Sequence, residues 1–371
     1  MALTKYKIGE LISIVDERNN LGIRDFFGIN INKEFMPTAA NTEGLDEKKY
    51  KVVRKERFVY SGMQTGRDGC IRISMYNDVK PILVSPAYTT FEVKARDIVH
   101  PVYFFMIFMS KEKDRFGAFC SDGSIRSNLD WDVFCDIELD IPPLPIQQKY
   151  VDIYNAMVEN QKNCERGLDD LKLACEACVD NLTNCKWNKI GAYIERNKKR
   201  NSENIFTVQN VKGFNNDGMF IEPRRLFSGE ISTFKIVKKD EFVYNSRINS
   251  TIKKLSIVIN ECEDLIVSPA YESFYVKNNK ELYPFYLYLL LQRDSFARKV
   301  LFNSFGSSTI VFGFDDMSEI EIPVPSFSEQ IAISNIYRAY KDRWRINENL
   351  KEQIRKICPV LVKGSIDEAR N

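Results

Sequence analysis

Two stretches of the chain carry short apolar runs, and two others carry apolar positions spaced by three and four. In residues 1–146 the runs 58–60, 70–75, 82–84 and 89–93 are rich in Val, Ile, Phe and Tyr and are set apart by Gly, Asn-Asp and Pro, which predicts β-strands. A longer apolar run opened by Pro101 predicts one helix over 101–115. Pro142, Pro143 and Pro145 then form a stiff exit that keeps a helix from starting early. Beyond them Tyr154, Met157, Gln161, Cys164, Leu168, Leu171, Cys175, Cys178, Leu182 and Cys185 follow one another by threes and fours. This spacing predicts a coiled-coil helix over 147–185, ~58 Å long at 1.5 Å per residue. After Pro323 and Pro325 the same spacing returns in Ile336, Tyr340, Arg343, Asn347, Leu350, Ile354 and Ile357, and Pro359 is expected to end or kink this second helix. So narrow an apolar stripe needs a partner, so the two helices are expected to pair antiparallel. Their seam would hold Met157, Gln161, Leu168, Leu171, Leu182, Ile336, Tyr340, Asn347, Leu350, Ile354 and Ile357, with Gln161 and Asn347 fixing register at some cost in stability.

The pattern recurs because the chain repeats itself. Leu83-Val84-Ser85-Pro86-Ala87-Tyr88 returns as Ile266-Val267-Ser268-Pro269-Ala270-Tyr271, a period of about 183 residues. Lys7-Ile8-Gly9 recurs as Lys189-Ile190-Gly191, Phe58-Val59-Tyr60 as Phe242-Val243-Tyr244, and Ile141-Pro142 as Ile322-Pro323. In a chain of 371 residues that is two whole copies, each large enough to be a domain. The division expected is a globular domain over 1–146, a spacer helix over 147–186, a second globular domain over 187–327, and a second helix with its tail over 328–371. The fold class is α+β: two pseudo-repeated mixed α/β domains joined by two long antiparallel coiled-coil helices. Such a doubled chain can present two similar surfaces to a two-sided target.

Composition narrows the class. A hydrophobic content of 44%, with 25 Phe and 17 Tyr, argues for packed cores and against disorder. The net charge of +2 is close to neutral, so any polyanion would have to be met by a locally basic face. Nine cysteines without a framework fit a reducing compartment. No apolar run approaches the length of a membrane span, and the expectation is a cytoplasmic protein with no membrane partner.

Catalytic patterns are hard to find. The single histidine, His100, stands before Pro101 at a helix start, a structural position more than a chemical one. Neither a His-Glu-x-x-His metal helix nor a Walker-type phosphate loop occurs, and no metal or cofactor is expected in the chain. Cys175-x-x-Cys178, with Cys164 and Cys185, lies on heptad positions of one helix, which cannot wrap a tetrahedral metal alone. The twice-repeated Ser-Pro-Ala-Tyr is weakly similar to the Asp/Asn-Pro-Pro-Tyr loop of amino-methyltransferases, but Ser replaces the amine-binding residue, so a turn anchoring a sheet is the simpler account. Glu92-Val93-Lys94 looks like half of a nuclease motif, but the repeat reads Tyr275-Val276-Lys277. A strand with alternating faces explains both.

Taken together, these segments resemble a known family. Two globular domains, each closed by an Ile-Pro-x-x-Pro-type segment (141–148 and 322–330) and followed by a long helix, resemble the DNA-specificity (S) subunit of type I restriction–modification systems. Ser124-Ile125-Arg126-Ser127-Asn128-Leu129 and Gly306-Ser307-Ser308-Thr309 precede those segments and support the resemblance, and the segments 58–64 and 242–247 look like the family's loop-bearing segment before the Ser-Pro-Ala-Tyr turn. The resemblance covers essentially the whole chain. It implies two target-recognition domains that each read half of a bipartite double-stranded DNA site, and helices that set the gap and dock two methyltransferase subunits. It also implies restriction/translocase subunits in the full complex. This chain would then catalyse nothing, with S-adenosylmethionine in the methylating partner and ATP and Mg in the restriction partner.

A DNA face needs Arg and Lys for phosphates, and Arg, Asn, Gln or Ser for base edges. In the first copy the candidates are Gln64, Arg67, Arg72, Arg126 and Asn128. In the second they are Lys198, Lys199, Arg247, Asn249, Lys253, Lys254, Ser307 and Thr309. These loops differ between copies, so two different half-sites are expected. The competing reading is a coiled-coil interaction scaffold with two sensor domains and no nucleic-acid partner. Near-neutral charge favours the scaffold, while the basic loops and the resemblance favour DNA.

Overall fold

The computed structural model describes all residues except 1–2, 39–41, 183–184, 217, 224–228, 249–253 and 305–309. The chain forms two compact units, one of residues 1–165 and 346–371, the other of residues 166–345. Each unit therefore takes in a stretch of both long helices.

In the first unit a four-stranded antiparallel sheet runs in the order Ile12–Ile14, Thr89–Val93, Phe58–Ser61, Arg72–Met75. Alternation along its strands decides the layering. Phe58, Tyr60, Ile73, Met75 and Phe91 point into a helical core with Tyr103, Phe104, Phe108 and Phe134. Val59 points the other way, onto a second sheet of Phe26–Ile29, Phe35–Pro37, Lys51–Val53 and Ile82–Val84. The strand 58–61 is thus buried on both faces. The strand Thr4–Lys7 pairs with Glu138–Ile141, so the domain's first and last strands lie side by side.

The second unit repeats this plan. Its four-stranded sheet runs Ile194–Arg196, Glu272–Val276, Phe242–Tyr244, Ile257–Ile259. Phe242 stacks on Phe274 at 4.7 Å as Phe58 stacks on Phe91 at 5.0 Å. Val243 turns away to Val237, Val258, Leu265 and Val267, and Lys186–Lys189 pairs with Glu321–Val324. The Ser-Pro-Ala-Tyr turns also match. In each, the Ser hydroxyl accepts from the Ala amide at 3.3 Å, and the Tyr carbonyl accepts from a buried lysine, Lys51 or Lys235.

Several elements depart from the sequence expectation. The apolar run at 101–115 makes two helices, Pro101–Phe108 and Lys111–Phe119, because the Ser110 hydroxyl accepts from the Glu112 amide and starts a new helix. The strand expected at 70–75 begins at Arg72, with Cys70 and Ile71 in the preceding turn. The first spacer helix starts early, at Leu144, because Pro145 falls in its first turn, where a missing N–H costs nothing. It runs to Arg166, and Gly167 (φ −92°, ψ 3°) separates it from a second segment, Leu168–Asp180. The guanidinium of Arg343 lies against Gly167, where a Cβ would come within 3.1 Å. Pro359 does not end the last helix, which spans Phe327–Arg370. Burial explains this: Cys358, Leu361 and Ser365 lie buried on either side of Pro359, and this packing offsets a proline penalty of about 3 kcal/mol.

Within each unit the helical segments pack antiparallel. In the first, the Gln161 amide donates to Asn347 Oδ1 at 2.9 Å, Glu165 bonds to Lys351 at 2.8 Å, and Lys149 reaches Glu368 at 2.8 Å. Ile354 is buried there, and Met157, Leu350 and Ile357 are half-buried. In the second unit Leu168, Cys175, Val179, Ile333 and Tyr337 are buried, with Leu171, Leu182, Ile336 and Tyr340 half-buried beside them. Burial pushes the Cys175 thiol up to about 11, so it stays a neutral packing group at pH 7. Among the described residues no group of three or more His, Cys, Asp or Glu is placed to hold a metal, and no helix is long and apolar enough to cross a membrane.

Candidate nucleic-acid interface

In the first unit two segments far apart in sequence meet at the end of strand Phe58–Ser61. The Gln64 amide donates to Asn128 Oδ1 at 3.1 Å, the Gly66 amide to the Ser127 carbonyl at 3.0 Å, and the Leu129 amide to the Gly62 carbonyl at 2.8 Å. Buried Tyr60 donates to the Leu129 carbonyl at 2.6 Å. Gln64 itself adopts φ 60°, ψ 20°, a left-handed conformation that non-glycine residues rarely hold. Asp122 organises the opposite loop, accepting from the Ser124 hydroxyl at 2.6 Å and from the Asn128 amide at 2.9 Å. These bonds hold its carboxyl below the usual range.

The result is one surface carrying all five candidates of the first copy. Arg67 and Arg126 are exposed, while Gln64, Asn128 and Arg72 are half-buried. Arg72 forms an ion pair with Asp68 and lines a shallow groove with Met63, Gln64, Ser85 and Tyr88. The Ser-Pro-Ala-Tyr turn thus borders this surface as well as anchoring the sheet. Ile125, at the tip, is fully exposed.

The second unit builds the corresponding place from corresponding parts. Arg247–Ile248 pairs with Ile310–Val311, the Phe312 amide donates to the Ser246 carbonyl at 2.8 Å, and the Asn245 side chain accepts from the Arg247 amide at 3.0 Å. Arg247 is exposed. Asn249, Lys253, Ser307 and Thr309 lie outside the described residues. Lys198 and Lys199 are not brought to Arg247. They follow strand Ile194–Arg196 and sit near Ile236, at the start of strand Phe242–Tyr244, whereas Arg247 follows its end. Lys254 faces the helices instead, lining a cavity of about 200 Å³ with Lys172, Tyr340, Lys341 and Trp344.

Sequence reasoning missed two groups of positioning residues. Asp122 could have been found, since Asp-Gly-Ser is a sequence that folds back on its own amides. The other group is Gln147 and Gln330. Both are fully buried at the foot of a long helix. Gln147 accepts from the His100 amide at 2.9 Å and donates to the carbonyls of Ile98 and Pro142. Gln330 accepts from the Tyr283 amide at 2.8 Å and donates to those of Glu281 and Pro325. Gln147 near the end of the first Ile-Pro-type segment and Gln330 at the end of the second were the available signal.

Comparison with known proteins agrees with this construction. Residues 4–169 and 181–356 each match the family described as Type I restriction modification DNA specificity domain. The chain belongs to that family, in duplicate. No protein of curated function matches the sequence. Among solved structures, the type I restriction–modification system S subunit from M. genitalium superposes with a TM-score of 0.58 at 12% identity, covering 98% of this chain and 96% of that one. At that identity the match speaks to the fold. The HsdS subunit from Thermoanaerobacter tengcongensis aligns over 98% of this chain and 96% of its own at 12% identity, with a TM-score of 0.35.

Proposed function

We propose that this specificity protein is the non-catalytic recognition subunit of a type I restriction–modification complex, and that each unit reads one half of a bipartite duplex site. The observation that carries this reading is the duplicated meeting of two loops at the end of one strand. Phe58–Ser61 leads to Gln64, Arg67 and Arg72 against Arg126 and Asn128, and Phe242–Tyr244 leads to Arg247 against the segment at 310–312. Amide and guanidinium groups on a rigid sheet are suited to base edges and phosphates. The side chains differ between copies, so the half-sites differ too. The long helices act as the spacer between half-sites and as docking surface for two methylating subunits. S-adenosylmethionine would belong to those subunits, and ATP and Mg to a restriction/translocase partner.

The test is co-expression with the methylating partner followed by mapping of modified bases across the host genome. Two different half-motifs at a fixed gap are expected. Methylation without any motif, or no dependence on this chain, would sink the reading and favour the scaffold alternative.

A further inference from the structure

The sequence-reading loops differ between the copies, so whatever the copies present identically should meet something that is the same at both half-sites. The helices Lys111–Phe119 and Asp294–Phe302 occupy equivalent places and have diverged at most of their nine positions. Two residues coincide: Arg115 with Arg298, and Phe119 with Phe302. All four are exposed, the phenylalanines at 85% and 89%. Arg and Phe are four residues apart, hence neighbours on one helix face. The opposite face is buried through Gly117 in one copy and Val300 in the other.

The helix ends are also fixed in the same way. The Ser121 hydroxyl donates to the Gly117 carbonyl at 2.9 Å, and that of Ser304 to the Val300 carbonyl at 2.5 Å. In the first unit Ser121 abuts Gly66 of the loop that carries Gln64 and Arg67. The exposed ring therefore stands at the border of the candidate interface. An exposed phenylalanine alone is unremarkable. A repeated one, paired with the same arginine and held by the same serine bond, is a built feature.

We propose that Arg115–Phe119 and Arg298–Phe302 are one sequence-independent DNA contact made twice. The arginine meets a phosphate, and the phenyl ring packs on the adjacent sugar and base edge. Aromatic and apolar side chains of DNA-binding proteins serve as such wedges, and arginine supplies the paired charge. A docking site for a protein would need a contiguous apolar patch of several hundred Å² in both copies. The apolar surroundings are not repeated: exposed Phe116 in the first helix corresponds to Lys299 in the second. Duplex DNA fits what is repeated.

The inference rests on the DNA-binding reading above, and one experiment separates the two. The full chain is titrated with a labelled duplex of mixed sequence at several salt concentrations, alongside F119A, F302A, R115A, R298A and F119W. Each Phe→Ala change should weaken binding between about 10- and 100-fold, the range for losing the burial of one phenyl side chain, with the double variant weaker than either. F119W should bind like wild type, and its tryptophan emission should change when duplex is added. R115A and R298A should each lower the slope of log affinity against log salt by about 0.9, one phosphate contact. Wild type that binds no duplex would overturn the functional reading and this inference with it. Wild type that binds while all the alanine variants match it in affinity and salt slope would overturn this inference alone. So would variants that keep duplex affinity and lose only co-purification with the methylating partner, which would assign the surface to protein docking.

Discussion

At the scale of single residues, the most consequential side chains are two neutral amides. Gln147 and Gln330 each tie a long helix to the loop before an apolar helix through two hydrogen bonds, and to the proline segment before their own helix through a third, with no charge involved. Replacing Gln147 by Glu keeps the size but puts a carboxylate oxygen against the Ile98 and Pro142 carbonyls. The expected loss is about 2–3 kcal/mol in chemical denaturation of the first unit, the cost of two buried acceptors left without a donor. A Gln147→Glu protein as stable as wild type would show that the bonds contribute nothing net. His100, whose amide joins this network, also caps a helix: its Nδ1 accepts from the Val102 amide at 3.1 Å and must be unprotonated to do so. Burial holds its imidazole below the ordinary value, with Glu56 and Asp152 pulling the other way and Arg96 adding to the depression. A base depressed in the folded state contributes its stability fully above the unfolded value near 6.5, and loses it as pH falls from there toward the lower folded value. Stability should therefore drop between pH 7 and pH 5 in wild type, and His100→Asn, a cap with no proton to gain, should flatten that part of the curve. Parallel curves for the two proteins would remove histidine from the explanation.

At the scale of elements, the four strands marked by apolar runs in the first copy were legible, while Thr4–Lys7, Ile12–Ile14, Phe26–Ile29, Phe35–Pro37, Lys51–Val53, Glu138–Ile141 and the helix ends were not. Runs 82–84 and 89–93 appear as strands with the expected limits because their β-branched and aromatic side chains suit a pleated surface buried on both sides. The helix breaks at Ser110 and Gly167 and the continuity through Pro359 were decided elsewhere. Ser110 depends on a local cap, Gly167 lies beside the guanidinium of Arg343, and Pro359 is overridden by buried neighbours. Heptad spacing picked out one stripe of each helix, but Val179, Ile333, Tyr337 and Cys358 are buried as well. Each helix faces a globular core in addition to its partner, and that widens the apolar face beyond two positions in seven. Polar Gln161 and Asn347 meet inside that face. Changing either alone to Leu should cost about 1–3 kcal/mol by stranding the other amide. Changing both should recover most of the loss or exceed it, as happens when buried polar pairs give way to apolar packing. A double-mutant cycle read by denaturation measures this coupling, and strictly additive losses would mean the two amides act independently.

At the scale of the whole molecule, the duplication was legible from one repeated six-residue phrase and shorter echoes in register, and the candidate DNA face only in part. Gln64 and Asn128 lie 64 positions apart, and nothing in either segment announces that strand and loop geometry will join them. The proposed spacer role has a length dependence. One heptad added in matched register to both long helices lengthens them by ~10 Å, which is ~3 base pairs of duplex. The methylated motif should keep its half-sites and widen its gap by about that number, and an unchanged gap would end the spacer proposal.

The composition of the first unit also has a consequence for how the protein is made. Residues 1–165 leave the ribosome first, yet their core stays open where Ile354, Cys358 and Leu361 belong beside Val151 and Tyr154. Tyr103 likewise waits for Ser365, its hydrogen-bond partner at 2.7 Å. At ordinary translation rates the wait lasts about 10–40 s, with the whole second unit emerging in between. A chain ended between residues 346 and 353 would hold every residue of the second unit and lack Ile354, Cys358 and Leu361, so its second core could close while its first stayed open.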